Sequence, residues 1–316
     1  MATTMATTRR VLGLSAALLL AACSSSGGSN GGTGGAGAGG AGGGEDAAVD
    51  TGPTSCAGMA ISFNSNVPTA NDPAKSRVMV DFGAGPSPDG GAGDTDLPTG
   101  NSPRTVEFWA FVLSSSWRGD ANTMFEYGQT SPANGGFGLD FGTVPGTIDP
   151  YTNGSGATSF DNDNQPSGIP DFMTNDQWIH FAMVYDQTAV TLYINGNYMA
   201  GVQGSQKTGG GMLQTIRTML TIGGNPRGAY FNGAIDEFRM WNIARAQSDI
   251  MATMGTKLVG NEPGLVGYWK FDDGTGTTAA DSVTTTGHTA HDGTLMAASS
   301  DMVPTWIAST APIFCP

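Results

Sequence analysis

Residues 190–202 constrain the fold of this chain more tightly than any other stretch. Val190, Leu192 and Ile194 alternate with Thr191 and Tyr193, and Asn195-Gly196 follows at once. Alternation at period two is the pattern of a strand with one buried face. Asn-Gly supplies the two positive-φ residues of a type I′ turn, so residues 198–202 should pair back as the second strand of a hairpin. The preceding strand, expected over 178–185, is apolar on both faces and interrupted only by His180. In 105–112, Val106, Phe108, Ala110 and Val112 take one face and Thr105, Glu107, Trp109 and Phe111 the other. Bulk on both faces means a strand covered on both sides, or one lining a curved sheet.

Further strands are expected over 61–63, 77–82, 219–223, 231–241, 264–271, 293–295 and 304–306, with 122–127 and 136–141 as an antiparallel pair. The loops between them are rich in Gly, Pro, Asn and Asp, the longest over 142–177. Residues 243–254 hold good helix formers and set Ile250, Met251 and Met254 where they could cover a sheet edge. Short strands in this number, with one short helix and no βαβ alternation, make an all-β sandwich of two antiparallel sheets.

The N-terminus reads as an address. Residues 1–22 pair Arg9 and Arg10 with an apolar stretch too short to span a bilayer. Leu20-Ala21-Ala22-Cys23 resembles a bacterial lipobox, in which the signal is cut before Cys23 and that thiol is lipidated. Each buried acyl methylene contributes roughly 0.8 kcal/mol, so a multiply acylated Cys23 is a stable anchor and the lipid is the only expected contact with the membrane. The arginine pair leaves general and twin-arginine export both open. Ser24 and Ser25 lack the aspartate that signals inner-membrane retention, which points to the outer membrane of a bacterial cell envelope, periplasmic or surface-exposed. Residues 23–54 comprise this cysteine and a Gly/Ser-rich flexible linker with an r.m.s. span of roughly 30 Å. Residues 55–316 form the folded domain. Only Cys56 and Cys315 then remain, one at each end of the domain in an oxidising compartment, and a disulfide between them is expected.

The formal charge of −14 falls to −16 once Arg9 and Arg10 leave. An acidic chain with scattered Lys and Arg cannot readily neutralise phosphates, which excludes nucleic acid as a natural partner.

Several of the strands carry motifs of a known family. Trp178, His180, Ala182, Tyr185 and Asp186, then Leu192, Tyr193, Asn195 and Gly196, then Phe231, Gly233, Ile235, Asp236 and Glu237 resemble the laminin-G-like, concanavalin A-like and pentraxin-like jelly rolls. The segment 264–274, with Asp281-Ser282 and 292–295, resembles the Trp-Phe-Asp segment found near the ends of such domains. The resemblance implies a concanavalin A-like jelly roll and a set of functions that includes lectins, adhesive modules and glycoside hydrolases. Large aromatics are mostly buried, so Trp178, Trp241 and Trp269 are read as core rather than as sugar platforms, and the resemblance also implies that His180 is structural.

Glycoside hydrolysis needs two facing carboxylates. Asp236 and Glu237 are adjacent and should point to opposite faces, while Glu107 and Glu126 lie on different strands. No catalytic residues are therefore expected. Zinc spacing and nucleophile constellations are lacking too. Asp161, Asp163 and Asp171 sit in a Gly/Pro/Asn-rich loop and are the calcium candidates, set against the plainer reading of a solvated turn. Trp117, Tyr151 and Tyr230 are expected as loop aromatics that could stack on a ligand. The expected function is non-catalytic binding of a glycan or glycoprotein, with a protein-interaction or architectural module of the envelope as the alternative and a hydrolase or lyase behind both.

Overall fold

The computed structural model describes residues 55–63, 76–82, 96–113, 122–128, 135–141, 148–151, 176–199, 204–205, 213–216, 219–225, 230–297, 300 and 302–315. These belong to the compact unit Thr51–Pro316. In chain order the described elements are β1 (Met59–Phe63), β2 (Arg77–Asp81), β3 (Arg104–Val112), β4 (Asn122–Gly128), β5 (Gly136–Phe141), β6 (Ile148–Tyr151), β7 (Gln177–Tyr185) and β8 (Ala189–Ile194). They continue with β9 (Asn197–Tyr198), β10 (Gly204–Ser205), β11 (Met219–Ile222), β12 (Gly233–Trp241), α1 (Gln247–Thr253), β13 (Leu265–Trp269), β14 (Thr278–Ala279), β15 (Gly293–Met296) and β16 (Thr305–Ala308).

All pairings between these strands are antiparallel. One sheet runs β10-β8-β7-β3-β12-β1-β16, with β13 added to β12 and β9 to β8; the other runs β14-β15-β2-β11-β4-β5-β6. This is the jelly-roll sandwich that the sequence pattern implies. Period-two alternation sends Val106, Phe108, Ala110 and Val112 of β3 inward against Val78, Val80, Phe125, Leu220 and Ile222 of the facing sheet. Phe108 stacks on Phe238 with ring centroids 5.3 Å apart, and Phe125 from the other sheet meets both, at 5.8 and 5.7 Å. Trp269 joins this core and Trp241 a smaller one, while Trp178 is partly buried beside Trp109 and Ile313.

The Asn195-Gly196 turn forms with φ values of 50° and 73°, setting Tyr193 opposite Tyr198 and Ile194 opposite Asn197. Three expectations differ in detail. Residues 148–151 and 278–279, read as loop, form strands; Pro150 is tolerated because β6 is an edge strand with a side that needs no donor. Residues 293–296 and 305–308 fall in different sheets rather than finishing one. The helix is only Gln247–Thr253, and because a single face meets the sheet, Ile250 is buried while Met251 is 52% exposed. Among the described residues no helix is long and apolar enough to cross a membrane.

The chain ends meet. β1 pairs with β16, Ser55 bridges Phe314, and Cys56 is disulfide-bonded to Cys315 with Cα atoms 5.1 Å apart.

Candidate binding site

Over β3 and β12, beneath α1, the outer face of the nine-stranded sheet is filled by a buried charge network. A bulge lies between Asp236 and Arg239, with Glu237 at a φ of +51°. This extra residue corrects the expectation that Asp236 and Glu237 point apart, since both turn to the outer face while Ile235 and Phe238 stay in the core. Glu237 accepts from Arg239 Nη2 at 2.7 Å and from the Tyr268 hydroxyl. Glu107 accepts from Arg245 Nη1 at 2.7 Å and from Trp241 Nε1 at 3.2 Å, and Arg239 Nη1 lies 3.6 Å away. Arg245 also donates to the Asp249 carbonyl in the first turn of α1, and Arg239 to the carbonyls of Thr253, at its C-terminal end, and of Thr256 just beyond. Placing the Arg239 cation there complements the helix dipole and satisfies orphan acceptors. Glu107 and Glu237 thus meet through Arg239, but both are buried and both carry the packing of α1.

His180 lies in the same layer. Burial first, then the positive Arg239 and Arg245, hold its imidazole well below the ordinary range, so it is neutral as the structural reading requires. Asp236 accepts from Ser309 Oγ at 2.6 Å, and burial, reinforced by the neighbouring Glu237, pushes its carboxyl up to about 8.

The outer face of the seven-stranded sheet carries a polar row in which Thr294, Met79, Thr221, Glu126, Gly138 and Tyr151 are successive register partners. Tyr151 was expected in a loop as a stacking aromatic; instead it is buried on β6 and reaches across Gly138 to donate to Glu126 Oε2 at 2.7 Å. A β-carbon at residue 138 would stand 2.4 Å from the Tyr151 ring, so glycine is what lets the ring lie there. Tyr230 is buried as well, bridged to Gly224. Neither tyrosine offers its ring to solvent: Tyr151 packs on edge strand β6, where a loop is expected from the sequence, and Tyr230 is buried at an isolated bridge. Trp117, the calcium candidates Asp161, Asp163 and Asp171, and Cys23 lie outside the described residues. Among the described residues no group of three or more His, Cys, Asp or Glu side chains could hold a metal ion.

A cleft of about 290 Å³ opens where β12 ends. Asn242, Asn261, Thr285, Thr286 and His288 line it together with Asp96 and Glu262, and Pro263, Leu265 and Val266 add apolar surface. Its walls are firmly held. His288 Nδ1 lies 2.9 Å from Asp96 Oδ2, and Nε2 lies 2.9 Å from Asp281 Oδ2. With a carboxylate at each nitrogen the ring donates twice as the imidazolium. Burial disfavours that charge, but the bonds to Asp96 and Asp281 outweigh it and raise the histidine above its ordinary value. Asp281 also accepts from the backbone N–H groups of Tyr268, Val283 and His291, each at 3.1 Å. Glu262 spends both oxygens on the N–H groups of Val259 and Gly260, at 2.8 and 2.9 Å. Asn242 Nδ2 donates to the Asp96 carbonyl at 3.1 Å. The cleft therefore presents amides, hydroxyls and some apolar surface, and its acids are engaged as scaffolding.

The family model for the concanavalin A-like lectin/glucanases superfamily matches residues 89–251, just over half of the chain. This chain belongs to that superfamily. Its curated relatives include pappalysin-1 of Mus musculus, 34% identical over 84 residues, and pappalysin-1 of Homo sapiens, 32% identical over 83; the matches cover 26% and 25% of this chain and 5% of each relative. Similar solved structures include a Bacteroides ovatus protein provisionally described as carbohydrate binding, with a TM-score of 0.49 and 20% identity over 81% of this chain and 61% of that one. Another is a pentraxin of Limulus polyphemus, with a TM-score of 0.40 and 15% identity over 61% of this chain and 80% of that one. Within this superfamily member, sequence reasoning missed the His288 cleft. Asp96 and His288 are 192 residues apart, and a pairing that distant leaves no local pattern. The only signal was two histidines, His288 and His291, in one late loop.

Proposed function

We propose that this chain is a non-catalytic carbohydrate- or glycoprotein-binding lipoprotein that holds its ligand in the His288 cleft. The observation that carries the reading is the make-up of that cleft: amide and hydroxyl side chains beside the apolar Leu265 and Val266, on loops fixed by part-buried hydrogen bonds. Such a surface suits a hydroxylated ligand, which needs directional polar contacts and a dry base. The buried acids support a binding role over hydrolysis, because Glu107 and Glu237 are engaged by Arg245, Arg239 and Tyr268 rather than facing each other across a groove. In this proposal Cys23 carries the lipid, residues 24–54 tether the domain at the outer membrane, and calcium at Asp161, Asp163 and Asp171 assists binding.

The test is a glycan array probed with residues 45–316, in calcium and again in chelator, alongside Asn242→Ala and Thr286→Ala. Saturable retention of one glycan class, lost in both variants and without release of reducing ends, is the expected result. A blank array would shift the assignment to the protein-interaction module, and released reducing ends would make the chain a hydrolase. Retention indifferent to chelator would remove calcium from the proposal and leave the cleft.

A further inference from the structure

Tyr193 and Tyr198 stand directly opposite one another on the β8–β9 hairpin, with ring centroids 6.3 Å apart and planes at 61°. Tyr198 is 42% exposed, whereas Phe108, Phe125, Phe238 and Trp269 are buried. The Tyr193 ring leans on the cluster of Ala182, Val184 and Ile250. The hairpin beneath them is held from both sides. Asn195 N–H donates to the His180 carbonyl at 2.8 Å, and His180 N–H returns to Asn195 Oδ1 at 2.9 Å. From the helix, Gln247 Nε2 donates to the Gly196 carbonyl at 2.9 Å, and Met251 Cγ lies 2.7 Å from where a β-carbon on Gly196 would stand. A ring pair held this firmly is pre-organised, so a ligand loses little affinity to ordering it.

The chemistry around the pair is uncharged. Residues 189–199 contain no Asp, Glu, Lys, Arg or His, and the adjoining helix contributes only Asp249. Aromatic faces carry negative charge density and attract polarised C–H groups, while the phenol hydroxyls and the nearby amides of Asn197 and Gln247 supply polar contacts. Among the described residues neither the hairpin nor α1 offers an anionic sugar a cation, and the chain carries a net charge of −14. We propose that Tyr193 and Tyr198 form a stacking platform for a neutral hexose, a second saccharide contact apart from the cleft. It rests on the glycan-binding reading and deepens it. Asn242 of the cleft follows β12, which β3 and β7 separate from β8, a spacing of roughly 14 Å at about 4.8 Å per strand.

The test is affinity electrophoresis of the full chain through gels containing a glucan, a mannan, a galactan or a polyuronate. The wild type should be retarded by a neutral polysaccharide. Tyr198→Ala should lose that retardation by about tenfold, the equivalent of one stacking contact, at an unchanged melting temperature. Tyr198→Phe should retain it. If Tyr198→Ala runs like the wild type while Asn242→Ala loses retardation, the platform is overturned and the glycan reading stands. If no polysaccharide retards the wild type, both fall; retardation by the polyuronate alone overturns the platform.

Discussion

Asp236 and His288 both lose stabilising power as pH rises, whereas neutral His180, held well below its ordinary 6.5, acts in the opposite direction and costs stability as pH falls below 6.5. The Asp236 carboxyl is raised to about 8 in the fold, so its stabilising contribution is complete below the ordinary carboxylate range, near pH 4, and is lost as pH rises to about 8. The slope over that window is roughly 1.4 kcal/mol per pH unit for one proton. His288 is raised too, so its contribution is complete below its ordinary value of 6.5 and is lost as pH climbs through the folded value. Below pH 6.5 the opposing slopes of Asp236 and His180 offset one another, so urea denaturation of the wild type should show stability falling from pH 6.5 to pH 9. Asp236→Asn can still accept from Glu237 N–H and donate to Ser309, and it should reduce the fall between pH 6.5 and about 8 and be the more stable protein at pH 9. An unchanged slope in that variant would mean that Asp236 does not titrate in this range.

The elements divide into those fixed by local pattern and those fixed by distant contacts. The β8–β9 hairpin was legible because alternation and Asn-Gly lie within a few residues of one another. The bulge at Glu237 was not, because strict period-two reading puts adjacent acids on opposite faces and only the backbone reveals the extra residue. The exposure of Tyr151 was misjudged for a related reason: its burial depends on Gly138 one strand away. The short helix was legible in position, but its anchoring by Arg239 and Arg245 was not. Arg245→Ala should strip Glu107 of its 2.7 Å partner and α1 of the donor to the Asp249 carbonyl and the Thr253 hydroxyl. A loss of roughly 3–5 kcal/mol is expected from breaking a buried pair, read as a lower urea midpoint. A loss below about 1 kcal/mol would place the pair among weak surface contacts instead.

At the scale of the molecule, the disulfide joins residues 259 apart and so closes almost the entire domain. Cys56→Ser with Cys315→Ser should cost about 2–4 kcal/mol in urea denaturation, with the same fold remaining because the sandwich core does not depend on the crosslink. The two-sheet architecture and this pairing could be read from the sequence, since both follow from alternation and from cysteine count. The cleft could not, as four separate segments converge on it only after folding. The central claim is that a glycan binds there. Hydrogen exchange of the chain with and without a saturating glycan retained on the array tests it most directly. Added protection at residues 242, 261–266 and 285–288 is the expected result, and unchanged exchange in all three segments under saturation would contradict it.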